Sequence, residues 1–258
     1  MLSLEKVCFK YPAQKRRDDA PWVLADISLK VAAGEFISVI GPSGCGKSTL
    51  LALISGLLRP SRGRILDRGQ EVLGPSRSRV LIFQGHLLFP WKTAAQNIEF
   101  VLKARGLPRG QRRRQALEYL QRVRLEAQAD AYPRELSDGM QQRIGIARAL
   151  AAEPDILLLD EPFSSLDLVT KCAIIDELKA IAGQLGKTVI LVTHNLEEAF
   201  HIGRRVYLLS DSPGRIAATF DPAATKPDQL QSLGSCREFQ DFKEKVSACM
   251  RDSASPKK

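Results

Sequence analysis

The segment Gly41 to Ser48 reads GPSGCGKS, and few short strings constrain a chain more. Its spacing, G-x-x-x-x-G-K-[ST], carries meaning only between a buried strand and a helix. That setting is present here. Phe36 to Ile40 is a short apolar run, and Leu50, Leu51, Leu53 and Ile54 follow as a buried helical pattern that Gly56 can end. In such a loop Gly41, Pro42, Ser43, Gly44, Cys45 and Gly46 curl the backbone so that consecutive amides face a chain of phosphates. Lys47 adds a point charge for the outer phosphates, and Ser48 a hydroxyl for Mg²⁺. A chance glycine-rich turn is the plain alternative, but it requires neither the lysine nor the flanking elements. Cys45, beside Lys47 at a helix start, is expected to favour its thiolate, so that alkylation there blocks nucleotide binding.

The rest of the chain is punctuated by periodicity. Ile27, Leu29 and Val31 alternate with polar or small residues before a turn at Ala33-Gly34-Glu35, giving two strands joined by a tight turn. Val80 to Phe83, Ile156 to Leu159 and Val189 to Val192 are continuous apolar runs of strand length, the pattern of strands buried on both faces of a parallel sheet. Between the first and second of these the chain is largely helical from about 91 to 150, with Leu117, Leu120 and Val123 spaced at threes, which predicts a helical subdomain inserted into an α/β core. After Ile216 the apolar content falls. Pro222 and Pro227 mark a linker, and Phe239, Phe242, Val246 and Met250 form the stripe of a last amphipathic helix, expected to pack on the body.

Asp160 ends its apolar run, so its carboxylate emerges at the carboxyl edge of the sheet, where a metal on the phosphates belongs. Glu161 follows at once. Adjacent carboxylates at a buried strand end are costly unless chemistry uses them; Asp160 is assigned to the metal, through water, and Glu161 to activating the attacking water. An acidic pair opening a helix before Pro162 is the duller alternative.

The order of motifs resembles the nucleotide-binding subunit of an ABC transporter over about residues 1 to 220. Gln84 follows its own strand as in the family's Q-loop, Leu136-Ser137-Asp138-Gly139-Met140 is similar to the LSGGQ signature, Ser164-Ser165-Leu166-Asp167 resembles the D-loop, and His194 resembles the switch histidine. The resemblance implies an α/β fold, a P-loop NTPase of the ABC ATPase kind, with a RecA-like core, an antiparallel β subdomain and the helical subdomain; the linker and last helix read from the residue pattern fall over 221–258, outside it. It implies ATP and Mg²⁺ as ligands. Gly41 through Thr49, Tyr11, Gln84, Ser137 and Gly139 would bind nucleotide, Ser48, Gln84 and Asp160 the metal, and Glu161 and His194 would act in hydrolysis. For Tyr11, stacking on adenine competes with an ordinary packed strand tyrosine. Ser137 can cap the helix that follows and make its N-terminus a second phosphate site; the family pairs two subunits head to tail, so each ATP is clamped between one copy's loop and the other's signature. Three positions depart from the family. Asp138 stands for a usual glycine, Met140 for glutamine and Asn195 for aspartate. Asp138 is expected to point away from nucleotide and complement the helix dipole.

Leu87-Leu88-Phe89-Pro90-Trp91 with Asn97-Ile98, and Ser212-Pro213-Gly214-Arg215-Ile216, are similar to importers of nitrate, sulfonates and taurine. The aromatics can pack the helical subdomain, receive a permease's coupling helix, or both. The reading is an ATP-hydrolysing subunit powering an integral-membrane permease for a small anionic solute, as a homodimer with a separate solute-binding protein, peripheral on the cytoplasmic side of the inner membrane. The rivals are a soluble ABC ATPase serving an assembly machine and an inactive nucleotide sensor. Nucleic acid is not expected as a partner, because the interval from Gln84 to Leu136 is too short for a coiled coil or zinc module. A net charge of +9 fits anionic partners generally. Its densest source, Lys103 to Arg114, reads as a solvated helix face, with contact to anionic lipid as the sharper alternative. Five cysteines without a CxxC pair read as free thiols in a reducing compartment. The start of the chain lacks a signal-peptide pattern, and no apolar stretch has the length of a membrane span.

Overall fold

A computed structural model describes residues 1–12, 20–85, 88–164, 166–222, 233 and 236–254; Leu87, Ser165 and Pro227, singled out above, lie outside them. In chain order the elements are β1 (Leu2–Phe9), β2 (Leu24–Val31), β3 (Phe36–Ile40), α1 (Lys47–Ser55), β4 (Arg62–Asp67), β5 (Gln70–Glu71), β6 (Arg79–Ile82), α2 (Ala94–Ala104), α3 (Arg109–Arg122), α4 (Asp138–Ala151), β7 (Ile156–Asp160), α5 (Leu168–Gln184), β8 (Thr188–Val192), α6 (Leu196–Ile202), β9 (Arg205–Leu209), β10 (Ile216–Phe220) and α7 (Arg237–Ala254). They form two compact units, Met1–Ser76 with Thr188–Lys258, and Arg77–Lys187.

In the first unit β2, β1, β4 and β5 make an antiparallel sheet. β3 runs parallel to both β8 and β9, and β10 pairs antiparallel with β9. The turn between β2 and β3 therefore joins strands of different sheets and not partners, contrary to the simplest reading of two strands around a tight turn. Burial explains the split. β2 alternates between buried and exposed and needs cover on one face, whereas β3 is apolar nearly throughout and is stable only between parallel neighbours. The turn is fixed by Glu35, whose carboxylate accepts the Ala32 N–H at 2.7 Å and a bidentate pair from Arg205 of β9, Nε and Nη2 each at 2.6 Å.

α7 packs as its stripe predicts. Phe239, Phe242 and Val246 are buried, and the Phe239 and Phe242 rings lie 5.3 and 5.2 Å from Phe200 of α6. Phe220 of β10 meets Phe242 edge to face at 5.5 Å. β10 itself was not legible as a strand, because its residues alternate only between half-buried and exposed.

In the second unit β6 and β7 pair in parallel, from Arg79 with Ile156 to Ile82 with Leu159. β7 is buried up to its last residue. β6 is not buried on both faces as its apolar run suggests: Val80 and Leu81 are half-buried and Phe83 is exposed, because they line an open cavity of about 260 Å³ with Val101, Gln142 and Arg148. The predicted helical stretch is α2, α3 and α4 around a core that includes Leu88, Ile98, Leu102, Leu120 and Ile144, each such side chain contributing about 1.5–3 kcal/mol of transfer free energy. Thr93 and Gln96 start α2 with a reciprocal capping box.

Candidate functional site

The first unit carries the phosphate loop between β3 and α1. Gly46 has φ 98°, and a Cβ there would stand 2.7 Å from Leu24 Cδ2, so both backbone sign and space demand glycine. Lys47 is buried, and its ammonium donates to the carbonyls of Gly41 at 2.9 Å and Pro42 at 2.8 Å, closing the loop on itself. Ser43, Gly44 and Ser48 are exposed, the last in the first turn of α1.

Thr49 is buried, and its hydroxyl lies 3.1 Å from the Tyr11 hydroxyl. Tyr11 is not a packed strand residue: it falls beyond β1, is 49% exposed, and touches Phe9 edge on at 4.9 Å, which leaves it beside the loop with surface for a ring to stack on. The expectation for Cys45 is overturned. Its side chain is fully buried, and burial pushes the thiol pKa up despite the nearby Lys47 charge. The helix start stabilises only a thiolate that water and cations can reach.

Behind the loop stands a residue whose role the sequence did not disclose. Gly214 exchanges hydrogen bonds with β2, donating to Val23 O at 2.9 Å and accepting from the Ala25 N–H at 3.0 Å. A Cβ on it would lie 2.2 Å from the Cys45 carbonyl oxygen. Gly214 therefore backs directly onto the loop backbone at Cys45.

β3 and β8 are in register at Val39 and Val192, and Thr193 N–H donates to Val39 O at 3.2 Å. His194 and Gly41 accordingly leave neighbouring strands at the same carboxyl edge. His194 is exposed. Asn195 caps α6, accepting from the Glu197 N–H at 2.8 Å and the Glu198 N–H at 3.1 Å; asparagine keeps the cap an aspartate would give and drops the charge.

The second unit carries the acidic residues. Asp160 ends β7 half-buried, and Glu161 follows with φ 44°, a left-handed conformation costing a side-chain-bearing residue about 1–2 kcal/mol. Strain at such a place points to function. The alternative of an acidic pair opening a helix fails, because α5 begins only at Leu168, capped by Asp167, which accepts the Thr170 N–H at 3.0 Å. Gln84 follows β6 at the matching edge of the pair. Its amide lies 3.5 Å from Ser164 Oγ, which donates to Glu161 O at 3.1 Å, so the Q-loop-like and D-loop-like segments meet at Glu161.

Ser137 caps α4 as predicted, its hydroxyl accepting the Met140 N–H at 3.4 Å. Asp138 is exposed in the first turn. Gly139 is buried, and a Cβ there would lie 2.5 Å from Thr170 Cγ2, which explains glycine at that position. Met140 packs against the helical core.

Asn97, fully buried, accepts the Phe89 N–H at 2.8 Å and donates to the carbonyls of Phe89, Lys92 and Thr93 at 3.3, 3.2 and 3.0 Å. The loop so pinned divides its aromatics: Phe89 packs on Phe100 at 4.8 Å and under the Arg148 guanidinium at 5.5 Å, whereas Trp91 is 70% exposed. The basic run is largely consumed nearby. Arg113 binds both oxygens of Asp130, Arg105 pairs with Glu153, and Arg112 donates to Leu107 O.

Among the described residues no group of three or more His, Cys, Asp or Glu could hold a metal. The candidate donors are hard oxygens on Ser48, Gln84 and Asp160, which suits Mg²⁺, an ion that takes few protein ligands and completes its shell with phosphates and water.

Residues 24–164 match the protein family described as ABC transporter. The chain is 47% identical to the nitrate import ATP-binding protein NrtD of Synechocystis sp. over 88% of each. It is 39% identical to the taurine import ATP-binding protein TauB of Chromobacterium violaceum, covering 96% of this chain and 94% of that one. Among solved structures, a dimeric ATP-binding cassette in a post-hydrolysis state bound to ADP and Pi aligns with TM-score 0.74 at 34% identity, over 86% of this chain and 98% of that chain.

Proposed function

Because the chain belongs to the ABC transporter family, as its ATP-hydrolysing cassette, we propose that it powers an integral-membrane permease importing a small anionic solute such as nitrate, a sulfonate or taurine. The observation carrying the ATPase part is the loop at 41–49, closed by Lys47, with glycines at 41 and 46 where a Cβ would stand under 3 Å from its neighbours. Tyr11 stacks on adenine, Lys47 and the loop amides hold the phosphates, and His194 hydrogen-bonds the γ-phosphate. Ser48 of the first unit and Gln84 and Asp160 of the second are the residues that would hold Mg²⁺, which when bound would neutralise charge on the phosphates. Glu161 takes a proton from the attacking water.

Ser137 and Gly139 open α4 as an anion-binding helix end, and they serve the loop of a second copy in a head-to-tail homodimer. Among the described residues no helix is long and apolar enough to cross a membrane. Attachment is read as running through the permease, on the cytoplasmic face. Exposed Trp91 and Phe100 belong to the surface that receives it. A separate solute-binding protein completes the system, and residues 1–220 form the ATPase domain with 221–258 as an appended linker and helix.

The test is gentle extraction from native membranes followed by identification of what comes along. A multi-span permease is expected; recovery from the soluble fraction alone with ATPase intact overturns the transport reading. In the purified chain, Glu161→Gln is expected to lower ATP turnover by about 100-fold or more while leaving nucleotide binding in place.

A further inference from the structure

The switch-like His194 sits on a backbone tied down from both sides by one buried hydroxyl. Thr193 Oγ1 donates to Glu198 Oε2 at 2.6 Å and accepts the Asn195 N–H at 3.0 Å. Both residues of the short bond are buried, Thr193 at 2% and Glu198 at 3% exposure. His194 lies between Thr193, which carries this hydroxyl, and Asn195, whose N–H it accepts.

Burying a carboxylate is costly, and although Glu198 stands in the first turn of α6, where a negative charge suits the helix end, the cap itself comes from Asn195 through its own oxygen. One contact of the carboxylate orients the Thr193 hydroxyl. With its hydrogen committed to Glu198, the oxygen has its lone pairs fixed toward the Asn195 amide, and a hydrogen bond to a charged acceptor is roughly twice as strong as a neutral one. The Thr193 N–H is spent on Val39 O of β3 at 3.2 Å. The segment is thus anchored to the strand that leads into the phosphate loop and to the first turn of α6.

We propose that Glu198 is a positioning residue for His194, acting through Thr193 to hold the 193–195 backbone where the imidazole meets the γ-phosphate. The inference rests on the reading of His194 given above. Glu198 touches no reacting atom in this scheme; it removes alternative backbone conformations of the residue that does, a task for which a short bond between buried groups is suited.

The test uses the purified full-length chain with MgATP, measuring kcat, KM and the melting midpoint. Glu198→Ala and Thr193→Val are each expected to lower kcat by about tenfold or more with KM for ATP within about threefold. Thr193→Ser, which restores the hydroxyl, recovers most of the loss. In a His194→Ala background neither change has more than about a twofold further effect, because the group being positioned is already gone. A merely structural role would instead add its loss in both backgrounds and follow the melting midpoint. Should Glu198→Ala fail to fold, the nearly isosteric Thr193→Val reads the same link. Wild-type kcat in Thr193→Val, or a full additional loss on top of His194→Ala, overturns the proposal. If His194→Ala itself retains wild-type kcat, the role of His194 falls first and the clamp with it, whereas an inactive His194→Ala beside an active Thr193→Val refutes the clamp alone.

Discussion

Replacing Gly214 with alanine tests whether the phosphate loop depends on the segment behind it. The added Cβ would sit 2.2 Å from the Cys45 carbonyl oxygen and 3.0 Å from Leu24 Cδ2. A carbon and a carbonyl oxygen settle at about 3.3 Å or more, so the loop or the Gly214 strand must move by about 1 Å. Gly214 is held through both its N–H and its C=O to Val23 and Ala25 around the start of β2, which makes the loop the softer partner. Overpacking of this kind costs about 1–3 kcal/mol, and displacing a binding group by about 1 Å can cost on the order of 100-fold in rate. Gly214→Ala is therefore expected to lower kcat/KM for ATP by about two orders of magnitude, while the melting midpoint falls by only about 2–4 °C for each kcal/mol. Steady-state hydrolysis and a thermal melt on the same preparation separate the two. Gly183→Ala is the control: it lies exposed in α5, a Cβ there meets nothing within 4 Å, and the change should stabilise by about 0.5–1 kcal/mol without altering turnover. A Gly214→Ala protein with kcat/KM within about threefold of wild type refutes the backing role.

Glu35 provides a pH test. Burial works against its carboxylate, but the Arg205 pair and the Ala32 N–H outweigh burial and hold its pKa below the usual value. The pair's stabilisation is complete above the unfolded pKa of about 4.3 and is lost as pH falls through the lower folded value. At pH 7 Glu35→Gln should cost about 1.5–3 kcal/mol, the range for hydrogen bonds to charged groups, with the gap closing in acid; a pH-independent gap in urea titrations contradicts it. Iodoacetamide at neutral pH should label half-buried Cys236 or Cys249 well before Cys45, and peptide mass spectrometry showing Cys45 modified first defeats that reading. Asp138→Gly should lower stability by about 0.5–1 kcal/mol, from the helix dipole and glycine's entropy, with ATPase changed by less than about tenfold; a larger rise shows that the carboxylate opposes the nucleotide.

The loop at 41–49, the strands ending at Asp160 and before His194, and the α4 cap at Ser137 were legible because each is encoded locally, by a spacing or by a buried run with its stop signal. The destinations of β2 and β3 were not, since a turn of few residues is compatible with a hairpin or with a change of sheet, and the choice is made by strands far along the chain. Cys45 was misread for a related reason: helix position and a neighbouring lysine are visible in sequence, whereas the burial that opposes them comes from distant segments. Thr193 and Glu198 look like ordinary residues around a histidine, and Gly214 like one position of an importer-like stretch, until the fold brings their partners to them.

The pairing of β3 has a consequence for the order of events at synthesis. Phe36 pairs with Val189 and Ile37 with Arg205, so the strand feeding the phosphate loop waits for neighbours made about 150 residues later, roughly 8–30 s at ordinary translation rates. The whole of the second unit, Arg77–Lys187, is produced in that interval. The nascent chain therefore carries its nucleotide signature long before it has a nucleotide site, and ATP can act on folding only at the end, by capturing a loop whose support has just been completed.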